Sequence, residues 1–166
     1  MGVRLQLVRN VTTSLQLMIF WRITLATGLG FIIGLEREWR GKYAGDRTFA
    51  LVALGAAGFT ALGVVFFPDS AEKIMAGVAT GIGFLGVGII WRMEGGQTRG
   101  LTTAAANWAV AAIGVLAGAG LPLAAGLSTL LALFILELDS LPLIGRLLHR
   151  TDGGMGDAPP APPPFP

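Results

Sequence analysis

Charged residues in this 166-residue chain fall in blocks, and long apolar runs lie between the blocks. Residues 49–67 (FALVALGAAGFTALGVVFF) and 74–91 (IMAGVATGIGFLGVGIIW) carry no charge. Each is close to the roughly 20 apolar helical residues that cross a bilayer core about 30 Å thick. No charge appears from Gly100 to Leu136. As one helix that run would extend about 55 Å, too far for a single crossing. It contains Gly118-Ala119-Gly120-Leu121-Pro122. Proline is favoured in the first turn of a helix, so the run is expected to split into two helices joined by a short turn. One more run, 15–35 (LQLMIFWRITLATGLGFIIGL), holds a single charge, Arg22. About 21 Å of helix separates Arg22 from Glu36, which places Arg22 toward the opposite interface, where its long side chain is expected to snorkel.

The pattern therefore predicts an all-α, polytopic transmembrane bundle of about five helices, near 15–40, 47–67, 72–92, 101–119 and 122–140. Residues 1–14 form an N-terminal segment suited to the interface, and 141–166 form a Pro-rich tail. The first apolar run is too long for a cleavable signal peptide and is followed at once by charges, so it is read as a retained span.

Composition sharpens this picture. Hydrophobic residues make up 53% of the chain and charged residues 13%, against about a quarter charged in soluble domains, and mean hydropathy is +0.68. With no cysteine there is neither a disulfide framework nor a thiolate metal site. The net charge of +2 is small and the basic residues flank apolar runs, so they are topology signals rather than a nucleic-acid patch. Arg37, Arg40, Lys42, Arg47, Arg92, Arg99, Arg146 and Arg150 fall on one side, against Arg4, Arg9, Arg22 and Lys73 on the other. The positive-inside rule then puts the N-terminus outside and the C-terminus in the cytoplasm of a bacterial inner membrane.

Lipid tails offer no hydrophobic drive for helix pairing, so small residues must supply close packing. Candidate packing positions are Ala26, Gly30 and Gly34 in the first span, Ala53, Ala57 and Ala61 in the second, Gly77 and Gly81 in the third, and Gly114 and Gly118 in the fourth. They serve either the bundle itself or contact with another protomer or partner. The stretch Gly81-Ile-Gly-Phe-Leu-Gly86 matches a dinucleotide-binding fingerprint, but that fingerprint works only between a strand and a helix, and here it lies within a span. Gly28-Leu-Gly-Phe31 and Gly81-Ile-Gly-Phe84 echo one another, compatible with a parallel repeat of helix pairs.

The densest polar cluster is Glu36-Arg-Glu-Trp-Arg40. Glu36 with Arg40, and Glu38 with Lys42, are i,i+4 pairs, so the first helix is expected to continue past the membrane edge. Gly41 or Gly45 would end it, and Asp46 would cap the next helix. These residues form either a solvated helix–turn–helix or a charged cytoplasmic platform, built with Arg99, Thr102 and Thr103, that contacts an ion, a lipid headgroup or a protein. Asn107 is the one strongly polar amide within the spans, expected to hydrogen-bond a neighbouring helix. The sole histidine, His149, lies in the tail. No catalytic constellation, cofactor motif or nameable metal set emerges, so the expectation is a protein that is not an enzyme and has no cofactor.

The polar motifs bring a family into view. Gly30-Phe-Ile-Ile-Gly-Leu-Glu-Arg-Glu-Trp-Arg-Gly41, Ala44-Gly-Asp-Arg-Thr48, Gly81-Ile-Gly-Phe-Leu-Gly-Val-Gly88 and Arg99-Gly-Leu-Thr-Thr-Ala-Ala105 run in the order and spacing of the bacterial MgtC/SapB family, whose membrane domain this chain resembles. The resemblance implies a five-helix inner-membrane domain, a link to growth under magnesium limitation, and regulation of other membrane machines. By resemblance, Glu36, Arg37, Glu38, Arg47, Thr48, Arg99, Thr102 and Thr103 carry over as candidate functional residues, with Asn107 added from the residue pattern. Asp46 and Phe49 stand where relatives often have an apolar residue and a histidine, and Asn107 also departs from the family. The soluble cytoplasmic domain of the larger relatives has no counterpart in this sequence, so regulation through it is not expected.

Three functions are compatible with these features. The first is a non-enzymatic protein acting on other integral membrane proteins, or on itself, within the bilayer. The second is a small ion or Mg²⁺ transporter working as an oligomer. The third is a structural accessory subunit of a larger membrane complex.

Overall fold

The structure is a computed structural model and describes residues 13–42, 44–92 and 98–138, with backbone alone at 91–92 and 98–99. The segment before residue 13 and the Pro-rich tail lie outside the described residues. Among the described residues five α-helices follow one another: α1 (Thr13–Trp39), α2 (Asp46–Phe66), α3 (Ala71–Ile89), α4 (Leu101–Gly118) and α5 (Pro122–Glu137). A 3₁₀ turn, Pro68–Ser70, joins α2 to α3. Two short strands, β1 (Trp91–Arg92) and β2 (Thr98–Arg99), pair antiparallel between α3 and α4. This ladder sits where the sequence pattern suggested only a loop. Four helices are long and apolar enough to cross a membrane, and α5 is a shorter apolar helix. The protein is an all-α membrane protein.

Helix ends follow local chemistry. At the end of α1 the Gly41 N–H donates to the Glu38 carbonyl (2.9 Å) and the Lys42 N–H to the Arg37 carbonyl (3.0 Å). This pair of bonds is a Schellman closure, and Gly41 takes the left-handed φ of +62° that it demands. The same device ends α4: Gly120 N–H to Ala117 carbonyl (3.0 Å), Leu121 N–H to Leu116 carbonyl (2.9 Å), with Gly120 at φ +86°. Pro122 then opens α5. The uncharged run from Gly100 is thus divided at its Gly-Leu-Pro step.

Two compact units divide the chain, 1–133 and 134–166. Within the first, close approaches at glycines define the packing. A Cβ at Gly30 would stand 2.7 Å from both the Ala53 Cβ and the Phe49 carbonyl oxygen, and one at Gly34 would meet the Asp46 backbone. Numbers rise along α1 as they fall along α2, so the two helices are antiparallel. Gly114 lies against Ala53 and Gly118 against Ala57, so α2 and α4 run parallel. Helices α2 and α4 each pack on the other and on α1 and α3, and α4 is the more deeply buried of the two. Half of its apolar stretch is buried, against 6% for α3, which lies at the edge. Val52, Ala56, Val78, Ile82, Ala111 and Val115 join α2, α3 and α4 in an apolar cluster.

The small-residue positions divide accordingly. Ala26, Gly30 and Gly34 are buried on α1, and Gly114 and Gly118 on α4. Gly77 and Gly81 differ: nothing lies within 4 Å of a Cβ placed on either, so they do not pack within this bundle. The reason is the peripheral position of α3. The echo between α1 and α3 stops at sequence for the same reason, since Gly30 is packed while its counterpart Gly83 faces open space.

Candidate functional site

The last turn of α1 carries a buried carboxylate held by two arginines. Glu36 and Arg37 are 9% and 2% exposed. Neighbours in a helix do not ordinarily face one another, yet the Arg37 guanidinium folds back on Glu36 as a fork. Its Nη2 donates to Oε1 at 2.5 Å and its Nε donates to Oε2. Arg40 adds a second cation, its Nε lying 2.5 Å from Glu36 Oε1 in the anticipated i,i+4 pair. Both carboxylate oxygens are therefore occupied by guanidinium groups, and the trio carries a net positive charge. Bidentate charge-assisted bonds of this kind satisfy charges that burial would otherwise penalise.

Glu38 has a different job from the pairing expected with Lys42. Helix α1 ends at Trp39, so Lys42 lies beyond it. The Glu38 carboxylate instead accepts the Asp46 backbone N–H (3.2 Å) at the start of α2. Asp46 is not the cap. Gly45 occupies that position without a side-chain cap bond, and Asp46 Oδ1 accepts the Arg47 N–H at 2.6 Å. Two carboxylates thus face the exposed amides and positive dipole end of α2. Around them Glu38, Gly45, Asp46, Arg47 and Thr48 line an open polar cleft of about 420 Å³.

Thr103 and Asn107 lie on α4, buried at 2% and 0% exposure. Asn107 corrects the expectation of an interhelical hydrogen bond, because neither Nδ2 nor Oδ1 has a partner. Helix register places both residues at the Glu36–Arg37 end of the bundle. Arg22 donates from Nη1 to the Gly118 carbonyl (3.1 Å), and counting an equal number of residues from each along the antiparallel pair reaches Arg37 and Thr103. Counting through α2, Gly114 opposite Ala53 implies Asn107 opposite Asp46.

The candidate residues therefore separate into two sets. Glu36, Arg37, Thr103 and Asn107 are interior, whereas Glu38, Arg47, Thr48 and Thr102 are exposed. The Arg99 side chain lies outside the description. Sequence reasoning missed Thr60, whose buried Oγ1 also lacks a partner, and no charge or motif marks it. It also missed the partner of Arg22, which closes the carbonyl end of α4 rather than only reaching for water. Among the described residues no cluster of His, Cys, Asp and Glu fits a metal ion.

The comparisons with known proteins bear on this arrangement. The model of the MgtC family matches residues 23–141, a stretch that takes in the whole polar cluster and all but the start of the bundle. The chain belongs to the MgtC family. Protein MgtC of Salmonella typhimurium (strain 14028s / SGSC 2262) is 54% identical over 92 residues, covering 55% of this chain and 39% of that protein. Protein MgtC of Brucella abortus (strain 2308) is 46% identical over 119 residues, covering 70% of this chain and 48% of that protein. The match to Protein MgtC of Brucella suis biovar 1 (strain 1330) has the same extent and identity. The chain spans less than half the length of these curated relatives. No solved structure matches it.

Proposed function

We propose that this family member is a non-enzymatic protein of the bacterial inner membrane that acts by binding other integral membrane proteins, with its N-terminus outside and its C-terminus cytoplasmic. The observation that carries the reading is the outer face of α3. Ala76, Thr80 and Gly83 recur at helical spacing and all are exposed, and nothing approaches a Cβ at Gly83. A flat strip of small residues lets another helix backbone come close, which is how helices associate where lipid supplies no hydrophobic drive.

The interior supports a scaffold more than a pathway. Glu36 has both oxygens taken by arginines, so it offers no free anionic ligand to a cation. Gly30 and Gly34 close α1 on α2, and Gly114 and Gly118 close α4 on α2. The family-level link to magnesium limitation makes low-Mg²⁺ growth the condition in which to look for a partner.

The test is purification in mild detergent from cells grown at low Mg²⁺. An integral membrane protein should co-purify with the wild type and be lost with Gly83→Leu, while helicity and thermal stability stay unchanged. Mg²⁺ flux into liposomes carrying the purified wild-type chain would sink the proposal and establish the transporter reading.

A further inference from the structure

Helices α2 and α3 flank an apolar groove of about 650 Å³. Gly55 and Phe59 of α2 line one wall, Gly77 and Gly81 of α3 the other, and Ala111 of α4 forms the floor. The groove begins at Thr48, and Thr48 also lines the polar cleft that holds Glu38, Asp46 and Arg47. An apolar trough therefore opens at one end into a site carrying both signs of charge.

We propose that this composite site binds a zwitterionic phospholipid with a primary ammonium headgroup, phosphatidylethanolamine, its acyl chains in the groove and its headgroup in the cleft. The dimensions favour lipid over a helix. From Thr48 to Phe59 the groove runs about 17 Å. That is about half of a bilayer core about 30 Å thick, the depth of one leaflet's acyl chains, whereas a spanning helix would need the full thickness. The cleft selects the headgroup. The Arg47 guanidinium, which makes no side-chain bond among the described residues, meets the phosphate. Glu38 and Asp46 lie beside it and accept the ammonium. Two carboxylates against one guanidinium disfavour an anionic headgroup, which brings a phosphate without a compensating cation.

The groove offers a clean perturbation, because a Cβ at Gly81 meets nothing within 4 Å. Gly81→Leu therefore projects into the groove from a position with room for its Cβ and removes a helix-weakening glycine. The full chain is reconstituted in vesicles of equal phosphatidylethanolamine and phosphatidylglycerol, extracted gently, and its retained lipid read by native mass spectrometry. The wild type should retain phosphatidylethanolamine at least fivefold over phosphatidylglycerol. Gly81→Leu should abolish retention of both at unchanged thermal stability. Glu38→Gln should erase the headgroup preference while leaving lipid bound, and Arg47→Gln should weaken retention of both lipids. Equal retention of the two lipids by the wild type, or retention indifferent to Gly81→Leu, overturns the proposal. So does a helix in the groove. The chain has no cysteine, so Gly81→Cys forming a disulfide between two copies in the bilayer would reveal one.

Discussion

Gly28 and Gly30 stand two positions apart on α1, and the same substitution at each should move stability in opposite directions. At Gly28 an added Cβ meets nothing within 4 Å. Alanine there removes the backbone freedom that glycine loses on folding and should stabilise by up to about 1 kcal/mol. At Gly30 the new Cβ would stand 2.7 Å from the Phe49 carbonyl oxygen and from the Ala53 Cβ, about 0.7 Å inside ordinary contact. Neither obstacle is a flexible chain end, since one is backbone and the other a Cβ rooted in α2. Helix α1 must therefore back away from α2, which opens a close-packed interface of the bundle. Overpacking of this kind costs about 1–3 kcal/mol, and the propensity gain offsets only part of it. Gly30→Ala should thus lose about 0.5–2 kcal/mol. Thermal unfolding of the purified chain in one detergent, followed by circular dichroism, gives both shifts side by side. If the two variants move together, or Gly30→Ala melts above the wild type, the packing argument is wrong.

Three further outcomes follow from the buried polar groups. Glu36→Ala leaves the Arg37 guanidinium buried without its carboxylate and should cost about 3–5 kcal/mol; the double variant Glu36→Leu/Arg37→Met should recover much of that loss in the same melting assay. Asn107→Leu removes two polar atoms that have no partner and should raise stability by about 1–2 kcal/mol, since each orphan costs about 1–3 kcal/mol and the larger side chain forfeits some of the gain. A lower melting temperature for Asn107→Leu would show that the amide has a partner such as bound water. Arg22→Ala deletes a charge-assisted bond to the Gly118 carbonyl and should cost about 1.5–3 kcal/mol; urea-dependent proteolysis at the α4–α5 turn should rise with it.

Much of the fold is legible in the chain because the bilayer simplifies the problem. A span must be apolar and must bond its own backbone, so run length alone yields the helices. Gly120-Leu121-Pro122 marked the division of the longest run for a local reason: glycine accepts the left-handed closure of α4 and proline suits the first turn of α5. Gly41 ended α1 by the same chemistry. The polar candidates were less legible. Glu38 and Lys42 have ideal spacing for a helix pair, but the closure at Gly41 takes Lys42 off the helix and the Glu38 carboxylate accepts the amide of Asp46 instead.

Sequence by itself determined that this is a membrane bundle of about five helices, that the long run from Gly100 divides before Pro122, and which residues are polar enough to matter. Those properties depend on neighbours within one or two turns. Tertiary structure alone decided which glycines are packed. Gly30 and Gly81 sit in similar small-residue stripes, yet one meets α2 and the other faces a groove, because α3 lies at the edge. It also decided that the Glu36–Arg37 pair is buried while Asn107 is left without a partner. Spacing along a helix gives the face on which a side chain lies, whereas what that face meets depends on helices distant in the chain.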